Sequence, residues 1–198
     1  MSLGEYAENV ILRDGTEVSI RPMERHDGPA LLAFFRAVPE EDRLFLREDV
    51  TQAEVVDRFV RNLDYDTVLP LLAFREGKVV GDATLHRSHR GWSTHVAHIR
   101  GVVARSVQRR GLGTHLAHLL VKRAIAAGLD KLVVEVVDNQ IGAKKACERL
   151  GFREEAILRR HVTDIHGKRR DLVVMTNDVS HIWERMEALV ADFSPMHE

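Results

Sequence analysis

The sequence predicts a single α/β domain over residues 1–198, a mixed and mostly antiparallel sheet with helices packed on both faces. Three observations carry that expectation. Paired runs of β-type pattern flank tight-turn residues three times along the chain, and helical patterns separate those pairs. One further run, residues 132–137, reads Leu-Val-Val-Glu-Val-Val. It is nearly all apolar and β-branched, which is the composition of a strand covered on both faces of a parallel or mixed sheet.

Taken in order, residues 10–21 form a hairpin that turns at Asp14-Gly15, and residues 17–21 alternate apolar and polar side chains. Residues 27–35 are helical, with Leu31, Leu32, Phe34 and Phe35 on the apolar side. Thr51-Gln52-Ala53-Glu54 has the spacing of a capping box and opens a helix through Val55, Val56, Phe59, Val60 and Leu63. Residues 69–75 and 78–86 make a second hairpin around Glu76-Gly77, and residues 95–103 are another strand. A helix over residues 113–127 turns Leu116, Leu119, Leu120 and Ile125 inward and ends at Gly128. After the strand at 132–137 comes a short helix, residues 143–150, stopped by Gly151. Residues 154–162 and 168–175 pair around Asp164–Gly167, and Ser180 caps a last helix that runs to about Phe193.

Composition narrows the function. The formal net charge is −1, so no global field recruits nucleic acid or an anionic membrane. No stretch is apolar for long enough to span a bilayer, and the N-terminus lacks the basic-then-apolar layout of a secretion signal. Cys147 is the only cysteine, which excludes an internal disulfide and suits a reducing compartment; the expected location is the cytoplasm. His86, His89, His95 and His98 lie close in sequence, but their spacing fits no standard ligand pattern, and no metal is expected.

The segment with most chemical content is Gln108-Arg109-Arg110-Gly111-Leu112-Gly113, between the strand at 95–103 and the helix that follows. A helix N-terminus presents unpaired N–H groups and a partial positive charge. Glycines at 111 and 113 allow a ligand close to the backbone, and Arg109 and Arg110 add two cations at the mouth. Such a loop suits a pyrophosphate. Neither Gly-x-x-x-x-Gly-Lys-Ser/Thr nor Gly-x-Gly-x-x-Gly occurs here, which counts against a P-loop hydrolase and a dinucleotide fold. Taken alone, Gly111-Leu112-Gly113 also suits a plain strand-to-helix turn.

The next segment, residues 139–152, follows the buried strand and closes on Gly151-Phe152. The two stretches together resemble the GNAT superfamily of N-acetyltransferases. Gln-Arg-Arg-Gly-Leu-Gly is similar to that family's Gln/Arg-x-x-Gly-x-Gly/Ala motif, and residues 139–152 are similar to its second motif. Leu12-Arg13-Asp14-Gly15 with Ile20-Arg21-Pro22 further resembles the catalytic domain of bacterial protein-lysine acetyltransferases. The resemblance implies a sheet that splays between the strands ending at Val103 and starting at Leu132, with acetyl-CoA as co-substrate. Its pantetheine arm would pair with the backbone of Val102, Val103 and Ala104, and its pyrophosphate would sit on the amides from Arg109 to Thr114. Asn139 resembles the family's asparagine that contacts the cofactor arm. Lys144 and Lys145 are either partners for the cofactor's 3′-phosphate or ordinary surface lysines.

The implied reaction is attack of an amine on a thioester. Free lysine titrates near pH 10.4, so the amine must lose a proton. The oxyanion would take a hydrogen bond from the Val103 N–H in this family. Many members carry a glutamate where this chain has His98; a histidine, titrating at roughly 6.5, is a sound base at neutral pH. His98 is either that base or a strand histidine satisfied by hydrogen bonds. Glu135 interrupts an apolar strand, where a lone carboxylate costs several kcal/mol, so it is either ion-paired or a base with a raised pKa. Cys147 stands where the family often has a tyrosine that protonates the departing thiolate. It is a proton donor, a covalent nucleophile or a small packing residue. The expected function is therefore N-acetyl transfer to a primary amine, protein lysine or small molecule, in a ternary complex. The competing reading is a non-catalytic acyl-CoA-binding module of the same fold, suggested by the missing glutamate and tyrosine. A homodimer is compatible with either.

Overall fold

The computed structural model describes residues 6–43, 46, 48–164 and 166–183. Eight strands form one sheet: β1 (Glu8–Ile11), β2 (Glu17–Pro22), β3 (Val68–Arg75), β4 (Lys78–Arg87), β5 (Val96–Val103), β6 (Lys131–Val137), β7 (Arg153–Thr163) and β8 (Arg169–Asp178). Their spatial order is β1-β2-β3-β4-β5-β6-β8-β7. Every pairing is antiparallel except β5 with β6. Helices α1 (Gly28–Ala37), α2 (Glu40–Arg43), α3 (Ala53–Arg61), α4 (Leu112–Ala126) and α5 (Ile141–Arg149) lie against the sheet. The mixed, mostly antiparallel sheet with helices on both faces matches the expectation, as do the three hairpins. The hairpin of β3 and β4 turns on Glu76 and Gly77 at φ 51° and 74°, the paired left-handed conformations of a two-residue turn matched to strand twist.

Alternation along the strands divides the apolar side chains between two cores. On one face Leu71, Ala73, Ala83, Leu85 and Ala97 pack under α4 with Leu112, Leu116 and Leu120. On the other, Leu72 and Val79 pack under α1 and α3 with Leu31, Phe34, Phe35, Val56 and Val60. Gly81 sets the approach of α4: a Cβ there would meet Leu116 Cδ1 at 3.3 Å and Leu112 Cδ2 at 3.4 Å. At the far end the His118 ring stacks on Trp183 with centroids 4.9 Å apart, docking the helical residues 179–183 onto α4.

Several local expectations are corrected. Ile125 does not face inward; it is 44% exposed. It lies nine residues beyond Leu116, two and a half helical turns, and so on the opposite side of α4. Thr51 does not cap α3. Its hydroxyl donates to Asp49 Oδ1 at 2.6 Å, and Gln52 takes the cap position without a side-chain bond. The Thr51 amide donates to the same Asp49 oxygen at 3.1 Å, so Thr51 is folded back onto that turn and the helix begins one residue later. Residue 179 is already helical, so Ser180 lies inside its helix, whose continuation toward Phe193 is outside the described residues.

One buried ion pair sets the angle between the sheet and α1. Arg21 of β2 donates from both terminal nitrogens to the Asp27 carboxylate, each at 2.7 Å, and its guanidinium lies 4.4 Å over the Phe74 ring. The same carboxylate accepts the Glu24 amide at 2.7 Å. Burial opposes ionisation of Asp27, but the Arg21 and Glu24 bonds outweigh it and hold the carboxyl below its ordinary range. Because the folded pKa is depressed, this pair stabilises the protein above the unfolded value of 3.8 and loses that stabilisation as pH falls through the lower folded value. Asp27→Asn should cost about 2–4 kcal/mol at pH 7, and the gap from wild type should close as pH drops below about 3.8, as measured by urea unfolding across pH.

Candidate functional site

The site begins where the sheet fails to close. β5 pairs with β6 at Val96–Lys131, Ala97–Leu132 and His98–Val133, and beyond that register the ladder ends. Each strand is held along its other edge. β4 keeps β5 straight as far as Gly81–Val103, and β8 keeps β6 straight as far as Val137–Leu172. Residues 99–103 therefore line one side of an opening whose other side is residues 134–137. Ile99, Val103 and Val134 pack against the core beneath α4.

Hydrogen bonding at the end of β5 shows which amides face that opening. Ala104 N–H donates to the Val80 carbonyl at 2.9 Å. In an antiparallel ladder bonded and non-bonded pairs alternate, so the adjacent pair Gly81–Val103 is non-bonded and the Val103 amide turns away from β4. The Val103 carbonyl turns the same way and is taken by the Gln108 side chain, whose Nε2 donates to it at 2.9 Å. Gln108 thus shapes the loop by closing the end of the strand.

The loop from residue 104 to 114 carries β5 into α4. A short turn at Arg105–Val107 buries Val107 completely. Arg109 at φ 60° and Gly111 at φ 101° then place two residues in left-handed conformations, and for Gly111 the absence of a Cβ removes the strain. Thr114 and His115 amides both donate to the Gly111 carbonyl, at 2.9 and 3.1 Å. No side chain caps α4, so the amides of its first residues remain for a ligand. Gly113 is not required by packing, since a Cβ there would meet nothing within 4 Å. The two arginines behave differently. Arg109 is exposed, whereas Arg110 donates to the Asp14 carboxylate in the turn between β1 and β2, and its carbonyl accepts the Arg13 amide at 3.1 Å. Arg110 is therefore not a second open cation at the mouth; it ties the loop to the first hairpin.

The face of the opening that lies toward α1 and α3 is polar. Register places Asp82, Thr84 and His86 of β4 beside Val102, Arg100 and His98 of β5. Glu135 lies two residues beyond Val133, which pairs with His98, and so falls on the same face. Thr84 Oγ1 and His86 Nε2 are hydrogen-bonded at 2.9 Å. His98, Arg100 and Glu135 are all half-buried and engaged with neighbours. Asp82 was not expected from the sequence, where it reads as one more outward position of an alternating strand. The signal was present in weak form: it is the only acid in β4. It is half-buried, no hydrogen bond or ion pair holds its carboxyl among the described residues, and burial pushes its pKa up to about 7.

The remaining candidates lie around the second side of the opening. Cys147 on α5 is half-buried against the α4 core, and burial, with Glu148 beside it, pushes its thiol up to about 11. That thiol stays protonated at neutral pH, which disfavours a covalent nucleophile. Asn139 is exposed just past β6. Lys144 is paired with Glu154 at 2.7 Å, so its charge is partly spent there. Among the described residues, no cluster of three or more histidine, cysteine or acidic side chains is placed to hold a metal ion, and no helix is long and apolar enough to cross a membrane.

Known proteins share this fold. The profile of the acetyltransferase (GNAT) family matches residues 33–152. Among solved structures, the GNAT domain of Streptomyces lividans PAT superposes with a TM-score of 0.74 at 22% identity, covering 90% of this chain and 99% of that one. A GNAT-family acetyltransferase from Streptococcus pneumoniae gives 0.72 at 25% identity, covering 81% and 99%. An acetyltransferase from Salmonella typhimurium, solved with its cofactor acetyl-CoA, gives 0.68 at 17% identity, covering 82% and 94%.

Two outcomes follow from the local geometry. Gly111→Ala should lower stability by about 1–2 kcal/mol, the cost of a left-handed Cβ, while Gly113→Ala should leave the melting temperature unchanged or higher. Cys147 should react with iodoacetamide at pH 8 about 100-fold more slowly than an unperturbed thiol, followed by mass spectrometry, in line with a pKa raised from 9.0 to about 11.

Proposed function

This chain belongs to the acetyltransferase (GNAT) family, and from that premise we propose that it moves the acetyl group of acetyl-CoA onto a primary amine by direct attack in a ternary complex. One observation carries the reading: the open edge of β5 ends one short loop before a helix N-terminus that no side chain caps. An extended polar chain fits the first element and a pyrophosphate the second. In this reading the backbone of Val102, Val103 and Ala104 flanks the pantetheine arm, although the Ala104 N–H is committed to Val80 and the Val103 amide is the one turned to the opening. The amides from Arg109 to Thr114 hold the pyrophosphate, with Arg109 adding charge. Open space at Gly113 supports a ligand in contact with that backbone. Gln108 and Arg110 serve by holding the loop's shape. Asn139 borders the arm from the β6 side.

When bound, acetyl-CoA supplies an activated acyl carbon and a thiolate leaving group. The protein must position the amine, remove its proton and stabilise the oxyanion. The Val103 N–H, directed into the opening, suits the last task. Proton removal falls to the polar face that carries His98 and Glu135, whose ionisable groups lie beside the same opening. Cys147, kept protonated, can donate to the departing thiolate or serve only in packing. The acceptor is a protein lysine or a small primary amine.

Calorimetric titration with acetyl-CoA, followed by a thiol-release assay over small amines and lysine peptides, tests the proposal. Binding in the roughly 1 μM–1 mM range with amine-dependent thiol release is the expected result. Gly113→Ala should weaken acetyl-CoA at least about tenfold, equivalent to about 1.4 kcal/mol, without loss of fold. Binding with no thiol release on any amine would instead favour a non-catalytic acyl-CoA-binding module.

A further inference from the structure

We infer that Asp82 is the acceptor-binding residue of this site: its carboxyl receives the substrate's primary ammonium group beside Val102 and takes up the proton that the amine must lose. The inference rests on the transfer reading above and deepens it by naming the group that contacts the amine.

Placement is the first argument. Asp82 of β4 is the register partner of Val102 of β5, and both side chains lie on the face toward α1 and α3. Val102 adjoins Val103, whose amide faces the opening. Asp82 is therefore the ionisable side chain beside Val102 on this face, one strand away from the opening in which the thioester is proposed to lie. His98 lies opposite His86, four residues further along, about 13 Å away at the usual strand rise of about 3.3 Å per residue. An amine attacking beside Val102 touches Asp82, and reaches His98 only through intervening groups.

The second argument is that the carboxyl is unsatisfied and reachable. No hydrogen bond or ion pair holds it among the described residues. The Asp82 carboxyl oxygens are not sealed from solvent, so they keep an open approach. A half-buried acid without a partner is costly to the fold, and buried polar groups are normally paired. An alkylammonium supplies the missing charge and hydrogen bonds. Arg105, just past β5, is bonded to Glu41 and Asp42 of α2, which pins that helix beside the end of β5 and walls the approach.

Other charged and titratable groups share this face or its cover, those of α3, Glu54, Asp57, Arg58 and Arg61, being exposed. β5 contributes His98 and Arg100, β4 itself His86, and β3 only Arg75 at its hairpin end. From α1 the charged side chain is Arg36, exposed and donating to the Thr51 carbonyl. Arg21 on β2 is committed to Asp27. His115, His118, Lys122 and Arg123 of α4 lie on the helix packed against the opposite face. Burial alone raises the carboxyl to about 7, which keeps it half-ionised at neutral pH, as a general base requires.

The step balances as follows. The Asp82 carboxylate accepts one proton from the bound ammonium, leaving a neutral amine. The nitrogen lone pair forms the C–N bond as the carbonyl π pair moves to oxygen. Collapse of the adduct breaks the C–S bond, and its electron pair leaves on sulfur. The second nitrogen proton passes to that thiolate, giving free coenzyme A, and Asp82 returns its proton to solvent.

The test uses the full chain with N-α-acetyl-lysine amide and phenethylamine as acceptors. Activity should rise with pH through a limb centred near 7 in kcat/KM, because the ionised carboxylate is the active form. The limb in kcat should lie lower, since a bound ammonium favours the carboxylate. Asp82→Asn should keep acetyl-CoA affinity within about twofold, lower kcat/KM for the amine by about 10²–10⁴, and abolish the limb. An Asp82→Asn enzyme with wild-type kcat/KM and an intact limb overturns the assignment while leaving the transfer reading in place. A wild-type enzyme that binds acetyl-CoA but acetylates neither these nor any other amine overturns the transfer reading and this proton step with it. Carbon-13 NMR of the wild-type protein with coenzyme A supplies a readout independent of the variant. Adding either amine should move the Asp82 carboxyl titration to lower pH, and an unmoved titration overturns the contact.

Discussion

The proposed site depends on two strands that part from one another. β5 and β6 share three residue pairs and then part, while each stays paired with its neighbour on the far side. β4 holds β5 through Val103, and β8 holds β6 through Val137. The result is an open strand edge inside a sheet, normally a liability. Here the opening lies over a packed core and ends at the start of α4, and in the proposed reading its exposed amides form the binding surface.

The elements around the opening are built to hold it in shape. Gln108 takes the last carbonyl of β5, Val107 anchors the turn in the core, and Arg110 fastens the loop to Asp14 in the first hairpin. Gly81 brings α4 down onto the sheet. On the opposite face, the Arg21–Asp27 pair fixes where α1 starts and therefore what covers the polar strip of β4 and β5. In the proposed arrangement the cofactor side depends on backbone geometry, and the acceptor side on a few ionisable side chains in a partly desolvated wall.

Much of this was readable from local chemistry. Glu76-Gly77 and Asp14-Gly15 announce their hairpins because few residues tolerate the turns, and Gly111 announces the start of α4 for the same reason. The buried strand β6 is evident from its β-branched run. What the chain did not disclose is non-local or finely balanced. Ile125 continues an apolar pattern by composition but falls on the wrong side of α4 by angle. Thr51 has the spacing of a cap, yet Asp49 two residues earlier competes for its hydroxyl. The partner of Arg110 is 96 residues away, beyond any local pattern. Asp82 sits in an alternating strand as a solvent-facing residue would, and only the structure reveals it as half-buried, with no hydrogen-bond partner among the described residues. His98 and Glu135 could be placed on a strand from sequence, but their shared face with Asp82 required the register.

The central claim is that the open edge of β5 and the uncapped start of α4 together hold acetyl-CoA. Residue-resolved amide hydrogen exchange, with and without acetyl-CoA, tests it most directly. The account predicts that the Val103 amide and those of Leu112 and Gly113 exchange readily in the free protein and become protected together when acetyl-CoA is added. Protection appearing elsewhere on the molecule, with these three amides unchanged at saturating acetyl-CoA, would contradict it.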